Sequence, residues 1–211
     1  MSNTPKNDVD KIERRDFLKK SGTVVGAMAV GFPGIISAQT VTNAIKVGLV
    51  GCGGRGSGAA GQALTADPRN ELTALADIDS AIVEQAATRL KNSTKFGAQV
   101  KIERAVSGLD AYDKVINSGV DVVLLATPPG FRPQHLTAAV NAGKHVFCEK
   151  PCATDSPGVR EVIAAQKLAQ TKNLALVAGF CWRYNNSIID AVQQVRDGAI
   201  GRLVAHHSTY Y

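Results

Sequence analysis

The chain is 211 residues long and 45% of it is apolar, enough to build one sizeable core and to set it apart from disordered sequences. Its 24 Lys and Arg against 18 Asp and Glu give a net charge of +6; +2 of this lies in residues 1–38, and the remaining +4 is spread without a basic run. With 5% aromatic residues and no aromatic cluster interleaved with Lys or Arg, this balance argues against a nucleic-acid partner.

The segment Glu13-Arg14-Arg15-Asp16-Phe17-Leu18-Lys19-Lys20 precedes a mildly apolar stretch from Gly22 to Ala38. This is the layout of a secretory signal; an amphipathic N-terminal helix with chance basic residues is the alternative. Scattered Gly and Pro and a short length argue against a membrane anchor. Arg14-Arg15-x-Phe17-Leu18-Lys19 resembles the twin-arginine signals, and that resemblance implies export of an already folded protein, cofactor bound, to the periplasm through the twin-arginine machinery. Cleavage is expected near Ser37-Ala38, with residues 39–44 as a linker.

Ile45 to Val50 is a β-branched, apolar run of buried-strand type that leads into Gly51-Cys52-Gly53-Gly54-Arg55-Gly56. Ser57 to Leu64 reads as a helix ending before Asp67-Pro68, and Leu72 to Ala76 as a second strand ending in Asp77. Strand, G-x-G-x-x-G, helix, strand and terminal acid in that order form a dinucleotide-binding fingerprint. Gly51 permits the tight turn, Gly53 lets backbone approach a pyrophosphate, and Gly56 lets the helix pack closely on the strand; Gly54 and Arg55 complete the contact loop. The helix N-terminus offers free N–H groups and a positive dipole end to phosphate. Asp77 would accept hydrogen bonds from a ribose 2′-hydroxyl and repel a 2′-phosphate. Ile78, Asp79 and Ser80 supply no cation to replace it, so NAD is expected over NADP.

Ala81 to Lys91 reads as a helix, Asn92 to Gly97 as a surface turn, and Val106 to Ser118 contains a further helical stretch. Val120 to Ala126 is the most strand-like run of the chain and ends at Thr127-Pro128-Pro129-Gly130, a turn that either walls the cofactor or simply stiffens the strand exit. His135 opens a helix running from Gln134 to Ala142; it either reaches the same edge or serves as a surface or capping residue. Strands and helices alternating at these lengths imply a doubly wound parallel sheet of α/β class, whose ligands bind at the carboxyl ends of the strands.

Lys144 to Cys148 reads as a turn and short buried strand, with Glu149-Lys150-Pro151 at its carboxyl end. Alone, Glu149-Lys150 reads as a solvated ion pair. At this edge, however, the Lys150 ammonium can bind a hydroxyl or carbonyl oxygen and stabilise charge that develops during hydride transfer, and it can shuttle a proton if burial lowers its pKa. Cys52, Cys148, Cys152 and Cys181 show neither C-x-x-C spacing nor zinc-pattern histidines. They read as small buried thiols with no metal site, although Cys148 and Cys152 flank the charged segment and leave a redox role open.

Gly51-x-Gly53-x-x-Gly56, Asp77, Ala126-Thr127-Pro128-Pro129, His135 and Glu149-Lys150-Pro151 together resemble the Gfo/Idh/MocA oxidoreductases, the glucose-fructose oxidoreductase and inositol dehydrogenase family. The resemblance runs from Ile45 to the last residue. It implies a Rossmann domain over residues 45–178 and places Lys150 beside the nicotinamide and substrate, with Thr127, Pro128, Pro129, His135 and Glu149 around the cofactor. Residues 156–172 read as a helix, Leu174 to Ala178 as a strand, and Gly179 to Tyr184 as its exit, where the resemblance makes Arg183 a second-rank cofactor contact. Gly201 to Tyr211 resembles the first strand of the family's second domain, an open, largely antiparallel sheet. Residues 179–211 are therefore expected to begin a substrate domain that continues beyond the given sequence and through which copies associate.

Two functions follow from the resemblance, and a third from the rule that fold does not fix function. The first is hydride transfer between NAD(P) and a hydroxyl or carbonyl carbon of a sugar or polyol; the second is glycoside cleavage by transient oxidation, as in NAD-dependent glycosidases of this fold; the third is non-catalytic sensing of dinucleotide or sugar.

Overall fold

The computed structural model describes residues 43–209, which fall in the second of two compact units, Asn43–Tyr211. The signal read over residues 1–38, residues 39–42 of the linker, and Tyr210 and Tyr211 lie outside the described residues.

The described strands are β1 (Ile45–Val50), β2 (Asn70–Asp77), β3 (Val100–Ser107), β4 (Val122–Leu125), β5 (His145–Cys148) and β6 (Leu176–Ala178). The helices are α1 (Gly54–Ala66), α2 (Ser80–Lys91), α3 (Ala111–Ile116), α4 (Arg132–Asn141), α5 (Ser156–Thr171) and α6 (Asn186–Arg196). The strands form one sheet in the order β3-β2-β1-β4-β5-β6, and every neighbouring pair is parallel. The order reverses direction between β1 and β4, the crevice where doubly wound sheets bind nucleotides.

Successive strand side chains point to opposite faces, so the apolar runs serve two cores at once. Leu49 and Leu124 pack on one face with Ala60 and Leu64 of α1 and Val83 and Leu90 of α2. Val50, Val123 and Leu125 pack on the other with Val115 of α3, Leu136 and Val140 of α4, and Ala165 of α5. Leu49, Leu75 and Leu125 are fully buried, and each such side chain contributes about 1.5–3 kcal/mol relative to exposure.

The ladder continues one residue past several strands. Gly51 donates to Ala76 O, Ala126 to Val50 O, Gly108 to Asp77 O, Glu149 to Leu125 O and Gly179 to Cys148 O, at 2.8–3.1 Å. These bonds bring the exits of all six strands to a common edge.

Four readings of the sequence are corrected here. β3 went unread because it is an edge strand whose outward residues, Lys101, Glu103 and Arg104, are exposed and charged; Val106 and Ser107 belong to it, and the helix that follows is only α3. α1 begins at Gly54 rather than Ser57, which places Arg55 in a helical turn. α4 begins at Arg132, with Pro133 in its first turn, where a missing N–H costs nothing. Residues 201–209 are exposed and form no strand, because a strand needs a neighbour for its backbone groups and none of the described strands pairs with them.

Candidate functional site

β1 ends in a turn that only glycine can make here. Gly51 has φ +94, and a Cβ on it would sit 2.6 Å from the Ala126 carbonyl carbon of the neighbouring exit. A Cβ on Gly56 would lie 1.8 Å from Gly51 O, so α1 crosses β1 at backbone contact distance. Gly53 and Gly54 meet nothing within 4 Å and face open space. Gly53 caps α1 with no side-chain hydrogen bond, and no acid occupies the first turn, so the helix start remains free to receive an anion.

The acid at the end of β2 is fastened to this loop. Asp77 Oδ2 accepts from the Cys52 amide at 2.7 Å, and Ser57 Oγ closes the turn by donating to Cys52 O at 2.9 Å. The Cys52 thiol is buried against Ala76 O, and burial, with the nearby Asp77 charge, pushes it up to about 12. Burial raises Cys148 likewise, to about 12, so both read as inert packing thiols.

A cleft of about 290 Å³ opens along the edge above the β3, β2, β1 and β4 exits. Gly51, Gly53, Asp77, Thr127, Pro128 and His135 all line it, and its remaining walls include Ile78, Leu109, Tyr112 and Phe131. His135 is neither a surface nor a capping residue. It is 6% exposed, stacks on Tyr112 with ring centroids 4.0 Å apart, and shares a 3.2 Å hydrogen bond with Thr127 Oγ1. Burial lowers it to about 4, which keeps the imidazole neutral at physiological pH.

Gly54, Arg55, Gly56, Pro129, Glu149, Lys150 and Arg183 do not line the cleft. Glu149 is 2% exposed rather than solvated, and its partner is Arg55 from the start of α1, 94 residues earlier, instead of the Lys150 ammonium. Lys150 sits at the β5 exit, is exposed, and precedes a cis peptide bond to Pro151. The condition set for proton shuttling, burial of this side chain, is not met among the described residues. Arg183 lies over the Phe180 ring, 4.9 Å from its centroid, and is exposed.

Sequence reasoning missed Arg132. Its buried guanidinium donates to Thr127 O at 2.8 Å and also to the carbonyls of Glu149 and Pro151, so one side chain ties the β4 exit to the β5 exit. The only signal in the sequence is an arginine set between Phe131 and Pro133 at a helix start. Among the described residues no group of three His, Cys, Asp or Glu side chains is arranged to hold a metal ion.

A profile of the GFO_IDH_MocA oxidoreductase family, NAD-binding Rossmann fold, matches residues 45–180. The chain is 29% identical over 163 residues to an inositol 2-dehydrogenase of Acidothermus cellulolyticus, a match covering 77% of this chain and 44% of that protein. It is 27% identical over 218 residues to a glycosyl hydrolase family 109 protein of Shewanella amazonensis, covering 94% of this chain and 46% of that one. Among solved structures it is similar to scyllo-inositol dehydrogenase from Lactobacillus casei with bound NAD(H) and scyllo-inositol, with a TM-score of 0.58, 28% identity, and coverage of 75% of this chain and 43% of that one. The chain thus spans less than half the length of these relatives.

Proposed function

The chain belongs to the Gfo/Idh/MocA oxidoreductase family, whose NAD-binding Rossmann fold covers residues 45–180, and from that premise we propose that the whole protein transfers a hydride between NAD(P) and a hydroxyl or carbonyl carbon of a sugar or polyol. The observation that carries this reading is the common edge. Gly53 at the N-cap of α1, Asp77 and the Thr127-Pro128 turn line one cleft, with Lys150 at the adjoining β5 exit.

Nothing within 4 Å stands in front of Gly53 and Gly54, which leaves room for a pyrophosphate that the first turn of α1 would receive through backbone N–H groups. Asp77 has its Oδ2 engaged by the loop, and the carboxylate retains acceptor capacity for ribose hydroxyls while disfavouring a 2′-phosphate, hence NAD over NADP. Thr127, Pro128 and neutral His135 wall the cleft, while Arg183, outside it and exposed over Phe180, is a second-rank cofactor contact on the family resemblance alone. The bound nicotinamide supplies the hydride donor or acceptor. Lys150 holds the reacting oxygen by a charge-assisted hydrogen bond and stabilises the negative charge that grows on it.

The test is a titration of the full-length, signal-free, cofactor-stripped protein with NADH and NADPH, followed by turnover on a panel of inositols and aldoses. NADH is expected to bind more tightly than NADPH. Lys150→Met is expected to bind NADH as the wild type does while losing roughly 100- to 10,000-fold in turnover. Folded protein that binds neither dinucleotide ends the oxidoreductase reading.

One observation favours a second reading: the match to the glycosyl hydrolase family 109 protein extends over 94% of this chain. Under that reading bound NAD is recycled during glycoside cleavage rather than consumed one equivalent per turnover, and absorbance at the NADH band separates the two.

Export rests on Arg14-Arg15-x-Phe17-Leu18-Lys19. Replacing Arg14 and Arg15 with Lys is expected to retain the protein in the cytoplasm on cell fractionation; undiminished export would remove the twin-arginine assignment.

A further inference from the structure

We propose that Arg55 is a positioning residue, which through its ion pair with buried Glu149 couples occupation of the glycine loop to the placement of Lys150. This rests on the dinucleotide reading above.

Arg55 stands in the first turn of α1, one residue before Gly56, within the segment whose free N–H groups would face the cofactor phosphates. Its Nε and Nη2 both engage Glu149 Oε1, while Nη1 has only a long 3.4 Å contact to Gln62 Oε1. The Arg55 side chain is 48% exposed and that of Glu149 3%, so one face of the guanidinium holds a buried carboxylate and another is open to solvent beside the loop.

The carboxylate has little freedom. A Cβ on Gly179 at the β6 exit would lie 2.9 Å from Oε2 and 3.1 Å from Oε1, so this exit closes on the group. Oε2 in turn accepts from the Lys150 amide at 3.3 Å. One oxygen of Glu149 is therefore held by Arg55 from the end of the glycine loop and the other by the backbone of the lysine at the next exit but one. A buried carboxylate that loses its cation must shift toward another partner, and that shift alters its hold on the Lys150 amide. An anion seated on the loop draws on the same guanidinium. Filling the loop and setting Lys150 are thus linked through a single cation, and such linkage is reciprocal.

The test reads Lys150 directly and needs no identified substrate. The full-length protein is acylated briefly with acetic anhydride, with and without saturating NADH, and labelling of Lys150 is compared with that of Lys144 at the far end of β5 by peptide mass spectrometry. Saturation is established for each variant by its own NADH titration. In the wild type NADH is expected to protect Lys150 about five-fold or more. In Arg55→Met and in Glu149→Gln, each saturated with NADH, protection is expected to fall below about two-fold, with Arg55→Lys recovering part because it keeps the charge but not the fork. If Arg55→Met does not fold, the double variant Arg55→Met/Glu149→Gln, which buries no unpaired carboxylate, takes its place with the same expected loss.

Undiminished protection in the saturated variants overturns the proposal, as does a wild type that binds NADH and leaves Lys150 unprotected. In both cases the cofactor reading stands. A wild type that binds neither NADH nor NADPH overturns the cofactor reading and this proposal with it.

Discussion

The Asp77 carboxylate accepts the Cys52 amide proton at 2.7 Å, so the acid that ends β2 also fixes the turn of the glycine loop that follows β1. Asp77→Ala removes this fastening and the acceptor proposed for the ribose together. Hydrogen bonds to a charged group are worth about 1.5–3 kcal/mol, so NADH affinity is expected to drop roughly ten- to a hundred-fold. NADPH affinity should fall less, because repulsion of the 2′-phosphate is removed at the same time. Calorimetric titration of both dinucleotides checks this, and an unchanged NADH affinity would falsify the ribose role.

Gly56 and Gly53 are expected to fail in different ways. Gly56→Ala forces a Cβ to within 1.8 Å of Gly51 O, where backbone must give way, and is expected to cost several kcal/mol, at or above the roughly 1–3 kcal/mol usual for overpacking. Gly53 has φ −60 and open space before it, so Gly53→Ala should keep the wild-type melting temperature while weakening NADH binding. Thermal melts and titrations of both variants separate a packing glycine from a ligand-facing one. Equal loss of stability in both would refute the distinction.

His135 makes folding stability depend on pH. Its native value of about 4 lies below the ordinary 6.5, because burial disfavours the imidazolium. Between these values the unfolded chain takes up a proton that the native state refuses. This contribution is therefore complete above pH 6.5 and is lost, at about 1.4 kcal/mol per pH unit, as pH falls toward 4. His135→Phe preserves a ring against Tyr112 and should flatten that part of the profile. Urea unfolding measured from neutral pH down to pH 5 tests it, and an unaltered slope in the variant would assign the acid sensitivity elsewhere.

The thiols divide by burial. Cys52 and Cys148, both pushed up to about 12, carry almost no thiolate near neutrality, whereas Cys181 is exposed. Iodoacetamide at mildly alkaline pH is expected to modify Cys181 first and to reach Cys52 and Cys148 only in denaturant. Early labelling of Cys148 in folded protein would revive the redox role that its place beside Glu149 left open.

The first half of the cofactor edge was legible because its signals are local. Ile45 to Val50 is apolar and β-branched, the glycines occupy the turn and the helix contact that require them, and Asp77 closes the next apolar run. Each of those requirements is set by the residue itself and its immediate neighbours. β3 was not legible, since Val100–Ser107 is mostly exposed and derives its strand conformation from pairing with β2. Nor was the setting of the charged groups. Glu149 next to Lys150 reads as a surface pair, yet the fold buries it and gives it Arg55 from the other side of the sheet order, while Arg132 spans two exits through backbone carbonyls that no side-chain pattern encodes. The sequence by itself determined the glycine turn, the strands that carry their own apolar runs and the acid that closes β2. The tertiary structure alone decided which charge meets which, because a parallel sheet with its crossovers brings together strand exits that lie far apart along the chain, and burial makes the pairing obligatory.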